Sequence, residues 1–188
     1  DFNEEYLSYI KNIDSNKISG LSFLRSTHLN TLIKIDNEIK QFDSSVLMPL
    51  PESLNDDSNL MFENFDLLYG TYPKNSNELV LIVNEYNEVD SSIFNALGFK
   101  ENDTISFEDI LKRKIKLIDN DSFYTQVGNI FIPITNYEKA FESSSDVLKI
   151  VGVMRGKKDN KFAVIAGTGI SYRDNLMTKY IENNKQSK

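Results

Sequence analysis

Five consecutive aliphatic residues, Leu79-Val80-Leu81-Ile82-Val83, constrain the fold more than any other feature of the sequence. A strand with one face in water alternates apolar and polar residues, and this run has no such alternation. It follows the turn-forming stretch Pro73-Lys74-Asn75-Ser76 and begins directly after Glu78. A run of this kind is typical of a strand that is covered on both faces. We therefore expect other elements of the fold to pack on both sides of it.

Amphipathic helices are predicted at both ends of the chain. Asn3 is suited to capping the first helix, which we expect to end near Asp14, and the second is predicted from Asp174 to Asn183. Their apolar stripes at helical spacing are Tyr6, Leu7, Ile10 and Ile13 in the first helix and Leu176, Met177, Tyr180 and Ile181 in the second. A shorter helix is predicted between its N-cap Asp90 and Gly98, which stands where a positive φ would end it.

Strands account for most of the remaining pattern. Period-two alternation predicts two adjacent strands between Ile18 and Asp36, one around Leu21 and Phe23 and one from Leu29 to Ile35. Further strands are predicted at Lys114 to Ile118, Asn129 to Ile134, Val147 to Met154 and Phe162 to Ala166, with helical turns at Phe107 to Leu111 and Tyr137 to Phe141. Segregated helices and consecutive strands predict an α+β fold with mixed or antiparallel sheets and helices at both termini.

The stretch from Asn37 to Asn64 is poorly patterned. It contains Pro49, Pro51 and the polar cluster Asn55-Asp56-Asp57-Ser58-Asn59, which interrupt helices and strands alike. We therefore expect a long excursion over the surface here. The 188 residues fit a single domain, with or without an inserted lobe.

Composition narrows the classes of partner. Apolar residues make up 40% and charged residues 26%, which is ordinary for a domain with a packed core. A net charge of −7 disfavours nucleic acid as a partner. The one basic run, Lys112-Arg113-Lys114 with Lys116, alternates with Ile115 and Leu117, so we interpret it as the solvated face of a strand.

The sequence also bears on where the chain resides. No stretch approaches the roughly 20 apolar residues that a membrane helix requires, so the chain as given is expected to be soluble. It starts at Asp1 without Met or a signal sequence, which suits an excised fragment or a processed product. The 17 Lys against 4 Arg, with abundant Asn and Ile, indicate a low-GC bacterial source.

Residues that carry most enzymatic chemistry are scarce. The chain has no Cys, which excludes disulfides, thiolate nucleophiles and Cys-based metal sites, and His28 is its one His. No P-loop sequence occurs. Asp119-Asn120-Asp121 lacks the next ligand and Gly of a calcium loop, and Gly167-Thr168-Gly169 lacks the rest of a dinucleotide fingerprint, so both are interpreted as turns. We predict no catalytic, cofactor-binding or metal-binding residues, and no enzyme.

Two features leave alternatives open. The 28 Asp and Glu residues make some close carboxylate pair certain, so a carboxylate-based glycan hydrolase stays as a weak alternative. Most of the 9 Tyr and 12 Phe residues fall on the apolar phase of their element and are expected in the core. The aromatic residues beside turns, which we expect to be partly exposed, are Tyr69, Tyr72, Phe123, Tyr124 and Tyr172.

The order of several segments resembles a known family. The stretch Leu68 to Leu81, followed by Val89-Asp90 and Phe94 to Gly98, is similar to the G-x-x-P-x-x-x-x-E-[IL]-V-L … L-G segment in the extracellular domain of MacB/FtsX-like ABC-transporter permeases. The later segments that also resemble the family are Phe107 to Leu111, Lys149 to Met154 and Gly169 to Tyr172. The likeness covers roughly Leu67 to Tyr180, whereas Asn37 to Asn64 matches no family segment. Its motif residues are Gly70, Pro73, Glu78, Gly98, Gly152, Gly169 and Tyr172.

The resemblance implies a domain inserted between the first and second membrane helices of a permease, on the extracellular face of the cell membrane. It implies a MacB-like fold in which residues 1–66 with 145–188 form a membrane-proximal core lobe and residues 67–144 an inserted lobe. ATP hydrolysis would belong to a separate domain or subunit inside the cell, and no cofactor is implied. The motif residues would have a structural role in turns and at strand entry.

The implied function is non-catalytic. The domain would couple ATPase-driven movement of stalk helices to an exported substrate or to an extracytoplasmic protein, peptide or lipoprotein partner. This hypothesis predicts that residues near Asp1 and Lys188 lie close together at one pole. The alternative is a free-standing extracellular solute- or protein-binding module, which keeps the fold and lacks the stalks. Partner-binding residues are not assigned, and Asn37 to Asn64 is the first place to look for them.

Overall fold

The computed structural model describes residues 2–14, 16–18, 20–21, 23, 25, 27–51, 57–158 and 167–187. The strands in these ranges are β1 Thr31–Ile35, β2 Glu38–Gln41, β3 Leu47–Leu50, β4 Phe65–Gly70, β5 Glu78–Val83, β6 Lys114–Leu117, β7 Tyr124–Val127, β8 Ile130–Pro133, β9 Val147–Gly156 and β10 Gly169–Arg173. The helices are α1 Glu4–Lys11, α2 Asp57–Asn64, α3 Ser91–Ala96, α4 Phe107–Leu111, α5 Asn120–Phe123, α6 Tyr137–Ser143 and α7 Asp174–Asn184. A 3-10 turn, Ser44–Val46, precedes β3.

Eight strands form one curled, mixed sheet, in which seven follow the order β2-β1-β6-β9-β5-β10-β3 and β4 pairs with β9 off this path. The pairs β5/β9 and β3/β10 are parallel and the other pairs are antiparallel. The long strand β9 pairs with β5 along one edge. Along its other edge, the first part of β9 pairs with β6 and the second part with β4. Strands β7 and β8 form a separate hairpin. The predicted α+β class, with mixed sheets and a helix at each end, is confirmed.

Strand β5 lies inside the sheet between β9 and β10, and Leu79 to Val83 are each at most 3% exposed. Leu79, Leu81 and Val83 belong to the larger hydrophobic core, and Val80 and Ile82 to a second core on the opposite face. The prediction of a strand covered on both faces is therefore confirmed. Fully burying a side chain of this size contributes about 1.5–3 kcal/mol, so this run is a major source of stability.

Three clusters of apolar side chains fill the space on the two faces of the sheet. The larger core includes residues from α3, α4 and α7, among them Ile93, Ile110 and Leu176. The second core lies under α2 and includes Met61, with Phe65 from β4. A third cluster joins α5 and α6 to the sheet beside β1; its buried members are Leu32, Ile118, Phe123, Ala140 and Phe141.

Helix ends follow the predicted capping. The side chain of Asn3 accepts a hydrogen bond from the Tyr6 amide at 2.8 Å, and Asp90 caps α3 in the same way through Ser92. Helix α3 ends in a Schellman arrangement, in which the amide of Gly98 donates to Asn95 and that of Phe99 to Phe94. Gly98 has φ of +80°, as predicted for the residue that ends this helix.

The expectation of a surface excursion from Asn37 to Asn64 is wrong for the described part of that stretch. It contributes β2, β3 and α2, and Leu50, Leu60 and Met61 are buried. Its elements are too short to give a periodic pattern in sequence. Pro49 is tolerated in β3 because this strand is at the edge of the sheet, where a missing amide hydrogen breaks no ladder.

Other predictions differ in detail or fall outside the described ranges. Around Leu21 and Phe23 the described residues form no strand, and Phe162 to Ala166 lie outside the described residues, as do Asp1 and Lys188. That residues near the two termini lie close together stays a prediction. The turn predicted at Asp119-Asn120-Asp121 is part of the single helical turn α5. The division into two lobes stays a prediction, although β1, β6 and β10, from its three ranges, all belong to one sheet.

Two glycines allow β4 and β9 to approach closely. Gly70 has φ of +76°, and a Cβ added there would overlap the Val151 carbonyl oxygen. A Cβ on Gly152 would overlap the Thr71 carbonyl oxygen in return. The register of the two strands also shifts between Leu67 and Tyr69. Both positions thus require Gly because backbone atoms occupy the space of a side chain.

Replacing Gly152 with Ala is expected to lower the free energy of unfolding by about 3 kcal/mol, because the methyl group forces the β4 and β9 backbones apart. Urea denaturation at equilibrium measures this loss. Gly128→Ala is the control, since nothing lies within 4 Å of its Cβ and only its φ of +62° opposes Ala, at about 1 kcal/mol. Equal losses in the two variants would contradict this explanation.

Candidate functional site

Three of the seven motif residues lie at the entry to β5. Gly70 ends β4, Pro73 is buried in the connection, and Glu78 is the first residue of β5. The Glu78 carboxylate accepts hydrogen bonds from the amides of Lys74 at 2.6 Å and Asn75 at 3.0 Å, and from the Asn75 side chain at 2.8 Å. Burial opposes ionisation of Glu78, yet these hydrogen bonds outweigh it and hold its pKa below the usual value. Glu78 thus closes the turn that aims the chain into the core.

The other four motif residues are distributed around the same strand. Gly152 contacts the β4 end beside Gly70, while Gly169 and Tyr172 lie on β10, opposite Ile82 and Leu79 of β5. Gly98 is separate from these, at the end of α3, where an added Cβ would overlap the side chain of Ile35. The structure therefore places the motif residues in turns, close backbone approaches and the core.

The two terminal helices differ in how they are held. Helix α1 has no buried residue, and its aromatic side chains Tyr6 and Tyr9 are exposed, as is Phe2 just before it. Helix α7 buries Leu176, Met177 and Tyr180 against the sheet. Helix α1 thus lies on the surface, whereas α7 contributes side chains to the core.

A chain of side chains joins the last turn of α1 to the start of α7. The Phe23 ring has the Lys11 ammonium 5.8 Å from its centroid and the Arg25 guanidinium at 5.7 Å. Arg25 then forms a salt bridge of 2.7 Å with Asp174, the first residue of α7. Both groups of this salt bridge are partly shielded from water, and the acid also interacts favourably with the helix dipole.

A buried polar network fixes the other end of α7. The Tyr180 hydroxyl accepts a hydrogen bond from the Asn30 amide at 3.3 Å and lies 3.4 Å from the Ile118 carbonyl oxygen. Asn30 donates to the Asn120 side chain at 2.8 Å, and the Asn120 amide donates to Asn184 at 2.7 Å. Burial raises the pKa of Tyr180, so its hydroxyl stays protonated and able to donate. Helix α7 is therefore tied to β1 and α5 as well as to Arg25.

A groove of about 570 Å³ opens where β1 ends and β6 begins. Its lining is five cationic side chains, two carboxylates and two Phe rings, namely Lys34, Lys112, Arg113, Lys114, Lys116, Asp36, Asp109, Phe99 and Phe141. None of the seven motif residues lines this groove. Hydrogen bonds from Ser106 lower the pKa of Asp109, so its carboxylate stays ionised. A general acid, by contrast, must be protonated before it can donate its proton.

The aromatic residues beside turns divide into three groups. Tyr69 is exposed, and Tyr72 and Tyr124 are half-buried, as expected. The expectation is wrong for Phe123, which packs in the third cluster, and for Tyr172, which faces the larger core from β10.

The β7–β8 hairpin exposes four apolar side chains to water, which are Val127, Ile130, Phe131 and Ile132.

The described residues lack two further kinds of feature. They hold no group of three or more His, Asp or Glu side chains that could bind a metal ion. Among them, no helix is long and apolar enough to cross a membrane. His28 is exposed. Comparison of the chain with protein families, with curated proteins and with solved structures finds no match.

Sequence reasoning missed the residues that the structure brings together. Arg25 and Asp174 are 149 positions apart, and no pattern in the sequence links them. Lys34 lies on β1, and its position beside the basic run of β6 follows only from strand pairing. The basic run is evident in the sequence, but alternation alone does not distinguish the solvated face of a strand from the wall of a groove.

The hydrogen bonds to Glu78 predict a pH-dependent effect of Glu78→Gln. Because the folded-state pKa is lowered, the stabilisation is complete above roughly pH 4.3, the ordinary value for Glu, and is lost as the pH falls through the lower folded value. At pH 7 we expect the variant to be less stable by about 1 kcal/mol, after allowing for solvent screening. Urea denaturation at pH 7 and pH 3 should show this difference shrinking, and a constant difference would rule out the ionised form as its cause.

Proposed function

We propose that this chain is the non-catalytic extracellular domain of a MacB/FtsX-like ABC-transporter permease. In this role it couples ATPase-driven movement of two stalk helices to an exported substrate or an extracytoplasmic partner. The observation that carries the proposal is the connection from α1 to α7 through Lys11, Phe23, Arg25 and Asp174. The ordered resemblance from Leu67 to Tyr180 supports it independently.

The physical argument concerns how force passes through the domain. A helix without buried side chains moves without disturbing a core, and α1 is such a helix. Its last turn reaches the Arg25–Asp174 salt bridge, and α7 is anchored in the sheet by apolar packing and by Tyr180. Displacement of α1 relative to α7 would therefore change the position of the sheet, which is the requirement for mechanical coupling.

A free-standing extracellular binding module is the second candidate. The groove between β1 and β6 favours it, because about 570 Å³ is within the usual range for small-molecule sites. The sequence that flanks this chain in its gene separates the two candidates. Apolar spans of about 20 residues on both sides support the permease, and a lipoprotein signal followed by a stop supports the module.

Surface labelling tests the proposed location. The chain has no Cys, so Tyr86→Cys introduces one exposed thiol into it. In intact cells that produce the full-length protein, we expect a membrane-impermeant maleimide to label this position. Ala140→Cys is the matched control, since Ala140 is buried and should react only after denaturation. Labelling of Tyr86→Cys only in permeabilised cells would place the domain inside the cell and contradict the proposal.

The coupling itself is tested by distance measurement between the two helices. Spin labels at Tyr9→Cys on α1 and Lys179→Cys on α7 in the full-length transporter should report a distance that changes between nucleotide-free and ATP-bound states. Arg25→Ala is expected to reduce that change, because it breaks the link to Asp174. Lys40→Ala, which breaks a surface pair with Glu38 on β2, should leave it intact. A distance that does not respond to ATP in the parent protein would contradict mechanical coupling.

A further inference from the structure

The groove at the end of β1 and the start of β6 has an unusual charge for this protein. The whole chain carries a net charge of −7, yet five cations and only two carboxylates line the groove, an excess of three positive charges. A solvated face of an acidic chain would be expected to carry acidic residues among its lysines. The excess therefore requires an explanation beyond solubility.

Two of the five cations already interact with acceptor groups of the protein. The Lys112 ammonium lies 3.0 Å from Glu108 and 4.0 Å from Asp109. The Lys116 ammonium donates to the backbone carbonyls of Phe141 at 2.6 Å and Ser144 at 2.8 Å. The other three, which are Lys34, Arg113 and Lys114, form no salt bridge within the described part of the chain.

Strand pairing places like charges side by side. Ile33 pairs with Ile115 in the antiparallel β1/β6 ladder, so the next position sets Lys34 beside Lys114. On its other side Lys114 pairs directly with Lys149 of β9. Three lysines thus follow one another across three adjacent strands, and like charges in such pairs destabilise a sheet. This arrangement costs stability that an anion in the groove would restore.

Arg113 is held in place next to this lysine row. Its guanidinium lies 4.2 Å from the centroid of the Phe99 ring, which fixes the orientation of its hydrogen-bond donors. Its Nε is enclosed and has no hydrogen-bond partner among the described residues. Because Arg113 lines the groove, an anion there would supply acceptors for its guanidinium group.

We propose that this groove binds a diphosphate ester. Two linked phosphates carry a charge of about −3 at neutral pH, which matches the three groove cations that form no salt bridge, whereas one carboxylate matches only one of them. The Phe99 and Phe141 rings offer an apolar wall, and a volume of about 570 Å³ leaves space for a ring or an aliphatic chain beyond the phosphates. The assignment does not depend on the proposed transporter function, because it concerns binding by this chain alone.

Isothermal titration calorimetry with inorganic pyrophosphate, in EDTA and at low ionic strength, tests the site directly. We expect binding to the 188-residue chain with a Kd below 1 mM, and a roughly tenfold higher Kd for Lys114→Gln, which removes one charge-assisted contact. Lys40→Gln removes the same charge from β2, outside the groove, and should change the Kd less than twofold. ADP and geranyl diphosphate then distinguish a ring from an aliphatic chain as the apolar part.

Thermal unfolding of the same variants separates a binding role from a structural one. Lys114→Gln removes a like-charge neighbour of Lys34 and Lys149, so its Tm without ligand should equal or exceed that of the parent chain. Pyrophosphate should raise the Tm of the parent chain and of Lys40→Gln, but not that of Lys114→Gln. Absence of pyrophosphate binding, equal weakening in both variants, or tighter binding of a hexaglutamate peptide would each overturn the proposal.

Discussion

Burial of β5 on both faces is the constraint on which the rest of the structure depends. Its five aliphatic side chains alternate between two hydrophobic cores, so each core needs its own cover of helices. Strands β9 and β10 flank β5 and form hydrogen bonds with its backbone amide and carbonyl groups. This pairing is necessary because unpaired backbone groups at this depth would be costly. The positions of α2, α3 and α7 follow from this requirement.

The motif residues serve the same constraint. Glu78 closes the turn immediately before β5, and its carboxylate replaces backbone partners that the turn lacks. Gly70 and Gly152 let β4 and β9 approach so closely that backbone oxygens occupy the space of a Cβ. Residues that resemble a family signature thus have direct physical roles in framing the central strand. Their contacts are those of a scaffold, and the surfaces on which the two proposals rest lie elsewhere.

Those surfaces are the terminal helices and the groove. Helix α1 contributes no buried side chain, yet through Arg25 and Asp174 it is connected to a helix that does. The groove concentrates positive charge in an acidic protein, where opposed lysines lower stability without a ligand. Packing of the cores alone requires neither the contact between α1 and α7 nor the positive charge of the groove. If both proposals hold, a bound anion and a moving helix would act on the same sheet from different places.

The sequence by itself determined the α+β class, the doubly covered β5, the helices at both ends, and the N-caps Asn3 of α1 and Asp90 of α3. These follow from local signals: apolar periodicity and the hydrogen-bonding needs of helix ends. Only the tertiary structure decided that Glu38–Gln41 and Leu47–Leu50 join the sheet, because edge strands this short have no distinct period. It also decided that Arg25 meets Asp174 and that Lys34 lies beside Lys114. Such contacts depend on strand order and register, which long-range packing sets and no local pattern records.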